Sequence, residues 1–162
     1  MTAFSVARDA VLRLVAEVGE HGAVRVETGG FLLSRPTADG RHDILALAGE
    51  EGVRRSQDLF EVSGEAVERL FGWAAEQELR IGVQVHSHRQ EAFLSRTDLR
   101  HGFTVEGFTT SVIPTYADPP RNPGSWGWWT CKAGEWKSTQ PPAVVEGPAE
   151  VVRFDSGGVD AA

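Results

Sequence analysis

Residues 85–98 read VHSHRQEAFLSRTD, and the fold turns on how that stretch is understood. It ends an alternating run in which Ile81, Val83, Val85 and Ser87 point one way and Gly82, Gln84, His86 and His88 the other. Residues two apart on a strand share a face, so His86 and His88 can reach one ion without backbone strain. Neutral imidazoles suit zinc, a carboxylate oxygen is a common third ligand, and Asp98 can supply one. Three protein ligands leave a fourth tetrahedral position for water, the arrangement of a catalytic rather than a structural site. A plainer reading also exists. The histidines can be a polar strand end, and SRTD alone is a helix start, with Ser95 as N-cap and Asp98 favoured by the helix dipole. The two readings are compatible, because a capped helix start would hold Ser95 and Asp98 rigidly.

Outward from this stretch, Val11, Leu14, Val15 and Val18 recur at helical spacing, predicting a first helix over roughly residues 4–19, closed by Gly19 and Gly22. AVRVETGGFLLS reads as extended, with glycines breaking it, and HDILALAG as a second strand. Ser63 is placed to cap a second helix through about Leu79. FTTSVIPTY is a strand, ADPPRNPGS a loop, and WGWWTC with EWK a hairpin around Ala133-Gly134. Trp126, Trp128, Trp129 and Trp136 read as core and hairpin packing. His21 and His42 fall in predicted loop or turn. Residues 139–162 are rich in Pro, Gly and Ala and read as a C-terminal tail able to dock one strand near Val151. The interleaving predicts an α/β fold, a mixed central sheet flanked by helices.

At 162 residues the chain is long enough for one domain with a core and short of two. A net charge of -7 argues against a nucleic-acid partner, which needs a basic stripe to neutralise phosphates. Cys131 is the single cysteine, so neither an intramolecular disulfide nor a cysteine-based zinc site is available. Arg8, Asp9 and Arg13 interrupt the apolar pattern of the first segment, which excludes a signal-peptide core or a membrane span there. A cytoplasmic protein is expected.

The ordered pattern ETGGFLL, an intervening helix, then HSHRQEAFLSRTDL resembles the JAMM (MPN-plus) zinc metalloproteases. That family is marked by an upstream glutamate, H-[ST]-H, a spacer and S-x-x-D. The resemblance runs over roughly residues 5–137, and the composite motif is far more specific than its pieces. It implies a cytidine-deaminase-like MPN fold over residues 1–138, and one Zn2+ held by His86, His88 and Asp98. It also implies Glu27 as the general base, taking a proton from the zinc-bound water and delivering one to the leaving amine. Ser95 would donate a hydrogen bond to the oxyanion, and Gly30 matches the family glycine. His101, one turn beyond Asp98, reads as a surface or supporting residue. One position departs: the family usually places seven residues between the second histidine and the serine, beginning with proline. Here there are six, RQEAFL, beginning with Arg89, and the deletion is read as falling at the start of the loop.

The chemistry implied by the resemblance is hydrolysis of the bond after the C-terminal tail of a ubiquitin-like protein, by processing or deconjugation. The expected partners are that tail or its conjugate, and E1- or E2-like proteins of the same operon, including those of antiphage systems. Clearing adducts from a sulfur-carrier protein, or a metal-free MPN binding scaffold, are the alternatives. Zinc nucleobase deaminases are excluded because they need a P-C-x-x-C ligand pair, and the H-E-x-x-H helix of other metalloproteases is absent.

Overall fold

Leu32, Leu45 and Leu47 face one way and Phe31, Leu33, Ile44 and Ala46 the other, all of them buried. A sheet apolar on both faces needs cover on both, and two helices supply it. The computed structural model that shows this describes residues 4–37, 39–101 and 103–162; the side chains of Thr97, Arg100 and His101 lie outside it. The reading of His101 therefore falls outside the described residues.

Helix α1 (Arg8–Ala23) packs Ala10, Val11, Leu14 and Val18 on the first face, and α2 (Gly64–Glu76) packs Ala66, Leu70 and Ala74 on the second. Ser63 caps α2 as its sequence predicts, its side chain accepting from the Ala66 amide. The central strands are β2 (Gly29–Ser34), β3 (Arg41–Ala48) and β6 (Arg80–Ser87), with β2 antiparallel to both neighbours. Beyond β6 come β7 (Thr109–Ile113), parallel to it, and the hairpin β8 (Gly127–Lys132) and β9 (Glu135–Ser138), turning at Ala133 and Gly134, both at positive φ. A separate two-stranded hairpin, β4 (Val53–Arg55) and β5 (Phe60–Val62), precedes α2. The predicted mixed α/β architecture is present.

Four expectations need correction. The chain does not begin with a helix at residue 4: Ser5–Ala7 form β1, parallel to β3, and α1 then runs past Gly19 and Gly22 to Ala23. Periodicity within the segment cannot reveal a strand whose partners lie at Arg41 and Ala143. The C-terminal residues dock not one strand but three. These are β10 (Ala143–Val145) beside β1, β11 (Glu150–Asp155) parallel to β3, and β12 (Gly158–Ala161) returning on β11. Val152 and Phe154 join the core under α2, and Arg153 reaches the buried Glu17 of α1 at 2.7 Å. The alternation of β6 slips at Gly82. Leu32 pairs with Val83 but Leu33 with Ile81, so Ile81 packs on the α2 side while Val83 and Val85 pack on the α1 side. Finally, His21 lies in the last turn of α1 and His42 is buried in β3 with Nδ1 directed at the Gly40 and Ser5 carbonyls. Trp126 and Trp128 are core, stacked with centroids 5.9 Å apart.

Gly29 and Gly30 are regular strand residues rather than a bulge, and they are there because the backbones close in on them. A Cβ at Gly29 would lie 2.2 Å from the Val85 carbonyl oxygen, and one at Gly30 2.2 Å from that of Ala46. Gly29→Ala must push β2 off β6, and overpacking of this kind typically costs about 1–3 kcal/mol or more. The expected result is an unfolding free energy in urea titration lowered by that amount; an unchanged value would show that the strands have slack there.

Candidate metal centre

β6 carries His86 near its C-terminal end, paired with β2 on one side and β7 on the other, and His88 follows one residue past the strand. The His88 amide donates to the Ile113 carbonyl at 2.8 Å and its carbonyl accepts from the Tyr116 amide at 3.0 Å, so the backbone is held beyond the last ladder pair. Ser87, between them, faces away and clamps the approach to β2: Thr28 N donates to Ser87 Oγ at 2.9 Å, and Ser87 N donates to the Thr28 carbonyl at 2.9 Å. Glu27 is fixed one residue upstream, its amide donating to the Ser56 carbonyl at 2.9 Å. Arg55 adds a brace, Nε donating to Thr28 Oγ1 at 3.0 Å while its other nitrogens donate to the Gly49 and Ala48 carbonyls.

From the other side comes α3 (Arg96–His101), a short helix whose start is reciprocally capped. Asp98 N donates to Ser95 Oγ at 3.1 Å, and Ser95 N donates to Asp98 Oδ2 at 2.9 Å. The capping reading of SRTD is present, and it leaves both Asp98 oxygens facing the histidines. Asp98 Oδ1 lies 3.0 Å from His86 Nε2 and Oδ2 lies 3.2 Å from His88 Nε2, with the two Nε2 atoms 3.2 Å apart. The short spacer has not kept Asp98 from the imidazoles.

The proton bookkeeping of this triangle is informative. His88 Nδ1 lies 3.0 Å from the Glu91 carbonyl, which can only accept, so Nδ1 carries the hydrogen. In the neutral ring Nε2 is then a lone pair, yet it faces a carboxylate oxygen and another ring nitrogen. Only a proton or a cation resolves that opposition. A histidine whose second nitrogen donates to a carbonyl is also how metal-binding imidazoles are usually oriented. Two ligand nitrogens on a tetrahedral ion with bonds of about 2.0–2.1 Å stand about 3.3 Å apart, close to the 3.2 Å between the two Nε2 atoms, and each of them has one Asp98 oxygen beside it. The donor set fits one small metal ion.

Glu27 completes the cluster. Its carboxylate, with His86 and His88, forms a buried group whose ligand atoms all lie within 4.8 Å of one another, able to hold one metal ion. Asp98 makes the shorter contacts with the imidazoles, whereas Glu27 forms no side-chain hydrogen bond or ion pair among the described residues. Burial pushes the Glu27 carboxyl up to about 8, the nearby His88 only partly opposing this and Asp98 and Asp58 adding to it. Burial also works against ionisation of Asp98, but hydrogen bonds from His86 and His88 outweigh it and hold that carboxyl well below the usual range. Burial alone would depress His88; Asp98 and Glu27 overcome it and raise the imidazole. Two carboxyls 71 residues apart in sequence are thus driven in opposite directions by their surroundings, Glu27 by desolvation and Asp98 by the two imidazoles.

A cleft of about 450 Å³ opens over Glu27, His88 and Ser95, walled by Asp58, Arg89 and Phe93. Phe93 stands edge-on to the His88 ring, centroids 4.8 Å apart, and shields it from one side. Sequence reasoning missed Asp58, Arg55 and Phe93. The first two lie on the β4–β5 hairpin, where nothing in the local pattern marks them. Ser87 had a signal, its place between the histidines, but its partner Thr28 is visible only in the fold.

With this geometry in hand, the likeness to known structures can be placed. A JAB1/MPN domain protein from Archaeoglobus fulgidus superposes with a TM-score of 0.52, covering 90% of this chain and 100% of that one at 17% identity. The fold is the MPN fold. A solution structure from Desulfitobacterium hafniense matches with a TM-score of 0.60 at 14% identity, covering 90% of this chain and 93% of that chain. One from Salinibacter ruber matches with a TM-score of 0.56 at 22% identity, covering 87% and 90%. No protein-family model and no curated protein matches the sequence. No helix among the described residues is long and apolar enough to cross a membrane.

The raised Glu27 carboxyl predicts a pH dependence of stability in chelator-treated protein. Folded Glu27 keeps its proton up to about 8, whereas the unfolded group loses it near 4.5. Its stabilisation is therefore full below the lower value and is lost as pH rises through the higher one. The slope is at most about 1.4 kcal/mol per pH unit. His88, also raised, acts in the same sense. Urea unfolding between about pH 5.5 and 8.5 should show this decline, flattened in Glu27→Gln; equal slopes in the two proteins would mean that Glu27 is not buried as described.

Proposed function

We propose that the protein is a zinc-dependent peptidase or isopeptidase acting after the C-terminal tail of a ubiquitin-like protein. The observation that carries this reading is the pairing of a preformed ligand triangle, His86, His88 and Asp98, with an uncommitted, desolvated carboxyl at Glu27. Zn2+ in that triangle would supply Lewis-acid polarisation of the scissile carbonyl and acidification of water.

The chain's own groups do the rest. Glu27 accepts a proton from the attacking water as its oxygen bonds to the carbonyl carbon. It returns that proton to the nitrogen as the carbon–nitrogen bond breaks. Burial raises the Glu27 carboxyl and a bound cation would lower it again, which favours a group that both takes and gives a proton near neutral pH over an exposed glutamate. Ser95 Oγ accepts from Asp98 N, so its own hydrogen is free to be donated to the developing oxyanion. Asp98 aligns both imidazoles, and Phe93 restricts water on the His88 side.

The test is incubation with ubiquitin-like fusions and isopeptide conjugates, with and without a zinc chelator, followed by mass measurement of products. Cleavage after the tail that stops with chelator and returns with zinc supports the reading. Zinc-free natural protein with no cleavage would point to a binding scaffold instead, and zinc-bound protein that cuts none of the substrates would remove the proposed substrate class.

A further inference from the structure

The wall of the cleft has a second side. Arg89 and Gln90 line the cleft over His88, and they also line a cavity of about 370 Å³ bounded by the end of α1, Arg25, Gln57 and Tyr116. The two spaces differ in charge. Glu27, Asp58 and Glu91 face the cleft, whereas the second cavity is lined by two arginines and no carboxylate. Arg89 is partly answered by Asp58, 3.6 Å away, but Arg25 forms no ion pair among the described residues. Burial raises the Tyr116 phenol, and the charges of Arg89, Asp58, Glu27 and Arg25 all act on it. One ring thus sits among the arginines and the proposed base together.

Arg25 occupies a position that helix chemistry assigns to another residue. Arg25 N donates to the Gly22 carbonyl and Val26 N to the His21 carbonyl, at 2.9 and 3.2 Å, which is a Schellman ending with Arg25 at φ 61°. Glycine is strongly preferred there, because a side chain in the left-handed region costs about 1–2 kcal/mol. A cation does favour a helix C-terminus, but a last-turn residue provides that without the backbone strain. From this strained position Arg25 lines the cavity.

We propose that this cavity is an anion subsite, taking a carboxylate carried by the substrate close to the bond that is cut. The carboxylate is either the terminal group of a short leaving fragment or an acidic side chain, and Arg25 and Arg89 bind it. The inference rests on reading the neighbouring cleft as a peptidase site.

The test uses zinc-loaded Glu27→Gln, which should not turn substrate over, titrated with four peptides and followed by amide NMR shifts. The peptides are acetyl-Gly-Gly-Ala with a free carboxylate, the same peptide as its amide, acetyl-Gly-Gly-Glu-amide and acetyl-Gly-Gly-Lys-amide. One acidic peptide should bind about tenfold tighter than the neutral amide, moving the Arg25, Gln90 and Tyr116 signals; which one identifies the source of the carboxylate. Adding Arg25→Gly should abolish the preference while leaving the urea midpoint equal or higher, since glycine relieves the helix ending. Equal binding of all four peptides, no binding at millimolar concentration, or a preference that survives Arg25→Gly overturns the proposal. Acid-selective binding lost in Arg25→Gly, together with failure of the natural protein to cut any substrate, would leave the subsite standing and remove the peptidase reading.

Discussion

Replacing Glu27 by glutamine is expected to leave the zinc content of the protein unchanged and to lower turnover by about 100- to 10,000-fold, the range that positioned acid–base groups supply. The amide keeps the shape of the side chain and cannot carry the proton. No hydrogen bond among the described residues is lost, because the Glu27 carboxyl makes none, and no buried charge is left unpaired. Chelator-treated Glu27→Gln should be at least as stable as the natural protein above about pH 8, where the natural chain must bury an ionised carboxylate. Elemental analysis beside a turnover assay checks both halves. Loss of zinc with loss of turnover would make Glu27 a ligand, which its distance from the imidazoles also permits.

Asp98→Asn is expected to do the reverse. An amide oxygen carries no charge to offset a dication, and Asp98 is the carboxylate in contact with both imidazoles. Zinc affinity should fall by more than about 100-fold, beyond what outer contacts to a metal site are worth, and activity should disappear with the metal. The helix start should survive, because Ser95 Oγ still accepts from the residue 98 amide. Zinc titration by calorimetry and a far-UV spectrum separate the two effects. If Asp98→Asn keeps its zinc while Glu27→Gln loses it, the roles of the two carboxyls are exchanged.

Much of the site could be read along the chain because its parts are local. His86 and His88 are two apart on an extended segment, and the pleat alone puts them on one side. Ser95 and Asp98 are three apart at a helix start, and their mutual capping follows from the unsatisfied amides of a first turn. The joining of these two pieces, and of Glu27 to both, is implied by the resemblance to the JAMM composite pattern and by no spacing along the chain. The β6 bulge shows how narrow the margin was. A slip at Gly82 turned Ile81 to the opposite core, and the histidines kept their common face because they lie after it.

By itself, then, the sequence determined the N-terminal caps of α2 and α3, the hairpin at Ala133-Gly134, the mixed α/β class and the pairing of the two histidines, since each depends on backbone geometry within a few residues. The fold alone decided the rest. Ser5–Ala7 became a strand, and three C-terminal strands entered the sheet, because distant edges offered ladder partners. Glu27 acquired its proton affinity from burial, and Arg25 its place beside the cleft from the packing of α1 against the Tyr116 loop. Desolvation and long-range strand pairing are properties of what surrounds a residue in space, and no local pattern encodes them.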